Sequence, residues 1–272
     1  MTDIVNHPRA RHLSPPQDHA YGPRVHLLGD EVSLLLLARL CSEQVGQPQF
    51  NEIVRILYGQ LLFATLATAF PTRRQRLPTR MHPDHPEAVL EGHWLDPATR
   101  VVVVDIARAG IVPSQVCFDL CNVLLEPDGV RQDHLIMSRR TNDHGAVVGA
   151  DIAGGKVGGS IDGCHVLFPD PMGATGRSLA HAIRHYRTHH GNEPTAILAL
   201  NLIVTPEYLR TMLDADPDVQ IFAMRVDRGM SNEEVLATTP GVRWDEESGL
   251  NERDYIIPGG GGFGELMNNS WV

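Results

Sequence analysis

The apolar positions of this chain follow two rhythms that alternate along its length. Apolar runs at Val101–Val104, Val166–Phe168, Ala196–Val204 and Val219–Val226, interrupted only by Asn201, Gln220 and Arg225, with a shorter one at Leu135–Met137, predict strands buried on both faces. Helical spacing follows the first run, at Val112, Val116, Leu120 and Val123. It returns after the second at Leu179, Ala182, Ile183 and Tyr186, and a short helix over Pro206–Leu213 follows the third. Strands and helices taking turns predict an α/β fold: a mainly parallel sheet flanked by helices on both faces. Two helices precede the first strand. One starts at Asp30 and places Val32, Leu35, Leu36 and Leu40 on a shared face. The other carries Phe50, Ile53, Val54, Leu57, Leu61 and Leu62 and runs to about Phe70.

The polar stretches divide the chain. Residues 1–24 hold Pro8, Pro15, Pro16 and Pro23 and few apolar side chains, which predicts a flexible N-terminal arm ahead of a single domain over 25–272. Pro71 to Thr99 is charged and Pro-rich and reads as a surface connection, its His82 and His85 solvated rather than metal-bound. Thr141 to Ser160 is rich in Gly and Ala and predicts a mobile hairpin.

Composition narrows the function. The 33 acidic residues against 23 basic ones give a formal net charge of -10, and no basic stripe breaks it, so nucleic acid is not the expected partner. Cys41, Cys117, Cys121 and Cys164 have neither metal-ligand spacing nor a disulfide framework, which points to a reducing, cytoplasmic setting. The N-terminus lacks the apolar stretch of a secretion signal, and Val32 to Leu40 is too short to span a bilayer, so no membrane is expected.

The chemistry concentrates in His165–Ala180. A short strand, Val166–Phe168, delivers Asp170, Pro171, Met172, Gly173, Ala174, Thr175 and Gly176 to a helix that opens with Arg177 and Ser178. Free amides at a helix start favour an anion, glycines allow close approach, and Thr175 and Ser178 add hydroxyl donors. Asp170, at the strand end, suits sugar hydroxyls. The stretch is neither a Walker loop nor a dinucleotide fingerprint. A second strand–loop–helix unit carries Arg108 between small residues, a placement suited to bidentate contact with a diphosphate. His181, His185 and His189 lie opposite the apolar stripe of their helix and read as a solvated face.

The run from Asp170 to Ser178, apart from Arg177, resembles the phosphoribosyl-diphosphate loop of the uracil phosphoribosyltransferase family, and Arg108-Ala109-Gly110 resembles that family's diphosphate loop. Val226-Asp227-Arg228-Gly229 and Gly249-Leu250-Asn251-Glu252 are similar to two halves of one family motif, parted by a polar insertion at 230–248. Tyr255-Ile256-Ile257-Pro258-Gly259 then resembles the base-binding stretch. The resemblance implies transfer of phosphoribose to uracil, giving UMP and diphosphate. Arg108 and Asp170 are then the catalytic pair, Arg139 assists at the diphosphate, and residues 170–178 hold phosphate and ribose. Ile256, Gly261, Gly262 and Phe263 face the base. Mg²⁺ arrives with the diphosphate rather than on protein ligands, and the chain forms a dimer or tetramer through its N-terminal helices.

Three positions depart from the family. Gly262 stands for an aspartate, Phe263 for an alanine, and Arg177 for a glycine. These changes leave open a phosphoribosyltransferase for another nucleobase, or a non-catalytic protein that binds phosphoribosyl diphosphate to regulate.

Overall fold

A computed structural model describes residues 18–141 and 147–271, with the side chains of 138–151 outside the described set. In chain order the elements are β1 (Val25–Leu27), α1 (Glu31–Leu40), α2 (Gln49–Ala69), β2 (Thr72–Pro78), β3 (Val89–Leu95), β4 (Val101–Ala107) and α3 (Ile111–Leu124). They continue with β5 (Val130–Thr141), β6 (Val147–Lys156), β7 (His165–Pro169), β8 (Met172–Gly173), α4 (Arg177–His189), β9 (Ala196–Val204), α5 (Pro206–Ala215), β10 (Val219–Val226), α6 (Glu233–Leu236) and α7 (Phe263–Asn268).

The valines of β4 and the apolar run of β9 are buried along nearly their whole length, so these strands lie inside the sheet. The order is β1-β10-β9-β7-β4-β5-β6, with β8 beside the end of β9. Every described pairing in this sheet is parallel except β5 with β6. Alternate residues of each strand feed two cores. Val101, Val103 and Leu198 face α1–α3, and Val102, Val104 and Ile197 face α4 and α5. The expected fold class is the one observed.

Helix α2 is long and apolar enough to cross a membrane by length and composition. Ten of its side chains are buried, and Tyr58 Oη donates to Leu200 O of β9 at 3.1 Å, so it acts as the core helix under the sheet.

Three expectations need correction. Helix α1 starts where predicted, capped by Asp30, but its buried face carries Ser33, Leu37 and Leu40. Ser33 Oγ bonds Asp30 Oδ2 and Gln60 Oε1, both at 2.8 Å, which turns the polar face of the first turn inward. Val32 and Leu35 are left 61% and 53% exposed. Residues 71–99 form an antiparallel hairpin of β2 and β3 rather than an irregular connection. Both its faces are largely wet, so no apolar alternation betrays it; Arg74–Glu91 (2.7 Å) and Arg73–Asp96 (3.2 Å) pair across it. The strand predicted at Leu135–Met137 runs from Val130 to Thr141, extended by polar residues that pair with β4 on one side and with the edge strand β6 on the other.

The arm expected over 1–24 lies in part outside the described residues. Its end, 18–24, is docked. Tyr21 is buried and its hydroxyl reaches Glu247 Oε2 at 2.5 Å. The Glu247 side chain, fully buried, also accepts from Arg228 Nη1 (2.7 Å) and the Gly241 amide (2.8 Å). The insertion 230–248 is thereby folded onto both β10 and the start of the chain. Glu247→Ala, which strands the mostly buried Arg228, is expected to cost about 3–5 kcal/mol, and Tyr21→Phe about 1–2 kcal/mol. Urea denaturation of the two variants against the parent checks both values.

Candidate functional site

The phosphate loop is built at the carboxyl ends of β7 and β8, where α4 begins. Gly176 caps α4 at φ 75°, a left-handed turn that suits glycine and brings no capping side chain, and the first amide of the helix, Arg177 N, has only a long contact to Thr175 Oγ1 at 3.5 Å. Gly173 is required by contact rather than by dihedral: a Cβ there would stand 2.9 Å from the ring of buried Tyr208. The loop is held from beneath by Thr205, whose Oγ1 donates to Ala174 O at 2.6 Å and whose amide donates to Gly173 O at 3.1 Å. Pro171 is buried, and its carbonyl accepts from the amides of Leu202 and Ile203.

Asp170 sits one residue beyond β7. Its backbone carbonyl accepts from Asn201 Nδ2 at 2.6 Å, and Tyr208 Oη donates to Asn201 Oδ1 at 2.9 Å. Asn201 and Tyr208 are both fully or almost fully buried. Its side chain receives one long contact, from the Met172 amide at 3.4 Å. Burial pushes this carboxyl up from 3.8 to about 6, with that amide pulling weakly the other way. The Asn201 support escaped the sequence reading. Its signal was a lone amide in an otherwise apolar strand.

Opposite the loop lies the segment from Arg253 to Glu265. A buried charge pair at the end of β10 fixes it. Arg225 Nε donates to Asp227 Oδ1 at 2.6 Å, Asp227 Oδ2 accepts the Gly259 amide at 2.8 Å, and Arg225 Nη2 reaches Gly259 O at 3.3 Å. The Gly229 amide donates to Ile257 O at 2.9 Å, and Leu250 bridges Ile256, so the two motif halves meet in space despite the insertion. Phe263, expected at the base, is 1% exposed. Its ring lies edge-on to Phe50 of α2, with centroids 5.1 Å apart, and so fills the core behind the segment.

Between loop and segment lies a cavity of about 690 Å³. Asp170, Met172, Ala174, Thr175, Arg177 and Ser178 line one side; Ile256, Gly261, Gly262 and Phe263 line the other. Residues that sequence reasoning had assigned to phosphoribose and to base thus share one space. Ala109 and Tyr255, from the two motifs quoted above, also line it, and Arg253, Asp254, Gly264, Glu265 and Trp271, none of them a candidate site residue, complete the wall. Pro171, Gly173 and Gly176 shape the loop from behind. Arg108 follows β4 near this cavity without forming its wall: Nη1 donates to Ser270 Oγ (2.9 Å) and Ser270 O (3.3 Å), and Nη2 to Glu265 Oε1 (3.4 Å). Arg139 lies on β5, and its side chain is outside the described residues.

The histidines of α4 stay on the wet side, with the rings of His185 and His189 4.5 Å apart. Burial and the neighbouring imidazoles lower the pKa of His185. Among the described residues no group of three or more His, Cys, Asp or Glu converges on a metal.

Comparison with known proteins matches residues 30–243 to the family model "Uracil phosphoribosyltransferase". Uracil phosphoribosyltransferase 1 of Schizosaccharomyces pombe is 24% identical over 216 residues, 79% of each chain. The uracil phosphoribosyltransferase of Burkholderia multivorans is 34% identical over 102 residues, a stretch covering 37% of each chain. Among solved structures, the AQ2163 protein from Aquifex aeolicus superposes with a TM-score of 0.67 at 19% identity, covering 91% of this chain and 99% of that one, a likeness of fold. Matched by a family model over most of its length, and carrying the loop and the facing segment across one cavity, the chain belongs to the uracil phosphoribosyltransferase family.

Proposed function

We propose that the protein transfers phosphoribose from phosphoribosyl diphosphate to uracil, releasing diphosphate and forming UMP. The observation that carries this reading is the single cavity of about 690 Å³ in which the Asp170–Ser178 loop faces the Ile256–Phe263 segment. The loop amides and the start of α4 receive the 5′-phosphate, helped by Thr175, Ser178 and the exposed Arg177. Asp170 accepts from the ribose hydroxyls. The backbone near Ile256 and Gly261 presents donors and acceptors to the edge of the base. Displacement at the anomeric carbon builds positive charge on the ribose, so holding sugar, base and leaving diphosphate in line supplies most of the acceleration.

Arg108 and Arg139 are assigned to the diphosphate. Mg²⁺ would neutralise the departing charge. It would be held by the oxygens of the substrate diphosphate and by water, as suits a cation that dehydrates reluctantly. The four cysteines are free, which fits a cytoplasmic enzyme. A homo-oligomer is favoured by an apolar groove of about 420 Å³ between α2 and α3, lined by Ile56, Phe63, Val116 and Leu120. Ile56→Glu is expected to lower the mass measured by light scattering to that of one chain.

The decisive assay is diphosphate release from phosphoribosyl diphosphate with Mg²⁺. Release should require uracil. Release with a different base moves the assignment to that base, and binding without release to any base makes the protein a regulator. Asp170→Asn should lower kcat/KM about 10- to 100-fold, the worth of hydrogen bonds to a charged group.

The raised pKa of Asp170 gives two further outcomes. Ribose binding needs the ionised carboxylate, so kcat/KM should rise with pH through about 6. The folded chain binds this proton more tightly than the unfolded chain, so the contribution to stability is lost as pH rises from about 4 to 6. Asp170→Asn should therefore stabilise the protein by about 1–3 kcal/mol at pH 7.5 and scarcely at pH 4. Thermal melts at the two pH values check the sign.

A further inference from the structure

Arg108 stands beside the space it is assigned to serve without lining it. Its side chain is 39% exposed, and the described partners come from one short stretch of chain: a carboxylate oxygen of Glu265, and the hydroxyl and carbonyl oxygens of Ser270. Three oxygens, one of them anionic, are what a phosphate group would offer the same donors. The stretch is itself closed by the Ser270 amide donating to Glu265 O at 3.1 Å. Glu265 and Trp271 line the cavity, and Arg108 does not.

Gly262 explains how the carboxylate comes to stand there. Its φ is -82°, which any residue can adopt, so its backbone does not ask for glycine. A Cβ at 262 would meet Glu265 Oε2, so a side chain there would push the flexible carboxylate aside. The empty side-chain position and the carboxylate one turn later form a single unit, with Oε2 over Gly262 and Oε1 towards Arg108.

We propose that Glu265, with Ser270, is an internal occupant of the diphosphate position: it holds Arg108 in place of the ligand's phosphate and thereby sets the affinity of the site for phosphoribosyl diphosphate. The inference rests on the functional reading above in taking Arg108 as the diphosphate ligand. A polyanion must exchange partners with Glu265 at Arg108. The carboxylate competes with the incoming phosphate for the guanidinium and repels it.

The test is calorimetric titration of the full chain with phosphoribosyl diphosphate plus Mg²⁺, and separately with inorganic diphosphate plus Mg²⁺. Glu265→Gln keeps the shape and removes the charge. It should bind both ligands about two- to fivefold more tightly, the weight of a half-exposed ion pair lost as a competitor. Gly262→Ala crowds the carboxylate off its place and should shift affinity in the same direction with Glu265 intact. In an Arg108→Gln background Glu265→Gln should bring no gain, since the contested donor is gone. Unchanged or weaker binding in Glu265→Gln overturns the proposal, as does an equal gain in the Arg108→Gln background. A gain towards inorganic diphosphate without uracil-dependent release upholds the role of Glu265 while rejecting uracil transfer. Phosphoribosyl diphosphate binding that Glu265→Gln leaves untouched rejects Glu265 alone.

Discussion

The hydrogen bond from Asn201 Nδ2 to Asp170 O, 2.6 Å long and made by a fully buried amide side chain, is the constraint on which the site depends. An amide inside a strand of Ala, Ile, Leu and Val is expensive unless every polar atom is satisfied. Asn201 is satisfied at both ends, by Asp170 O and by Tyr208 Oη. The bond therefore does more than join β7 to β9. It sets the height of the loop at which Asp170 leaves the sheet. Tyr208, which completes it, also packs against Gly173. Thr205, at the start of the same helix, holds Ala174 and Gly173. One buried polar group and one helix thus place the sugar carboxylate and the phosphate amides together.

The opposite wall is fixed by a different kind of force. Asp227 is buried and doubly bonded to Arg225, and it passes that rigidity to Gly259 through one backbone amide. The base segment has little regular structure of its own, so its position depends on this charge pair and on the Gly229–Ile257 bond. Both walls draw their precision from residues behind the cavity surface. Phe263 joins the two, packing its ring on Phe50 in the core while it lines the cavity beside Gly261 and Gly262.

Much of this was legible in the sequence because buried parallel strands write continuous apolar runs, and α4 writes a clean stripe at Leu179, Ala182, Ile183 and Tyr186. The loop from Asp170 to Ser178 was legible because its residue types are dictated by close approach and amide exposure. The hairpin of β2 and β3 was not, since a strand wet on both faces carries no periodic signal. Nor was the inward turn of Ser33, where a hydrogen bond to Gln60 outweighs the pull of Val32 and Leu35. The partners of Arg108 were hidden for another reason: they lie more than a hundred and fifty positions away along the chain, and no local pattern reports a contact of that range.

The first strand among the described residues is among the last that can be completed. β1 lies at the sheet edge, and its described partner is β10, with Val25 opposite Ile221 and Leu27 opposite Ala223. Tyr21 must wait longer still, for Glu247. On a ribosome, which emits the chain from its N-terminus, these early apolar residues leave the tunnel long before their partners exist. The α1–α2 pair can form meanwhile from neighbouring sequence, whereas β1 remains an unpaired strand whose backbone offers an edge to any other chain. The pairing of β1 with β10 therefore cannot precede the emergence of residues 219–226.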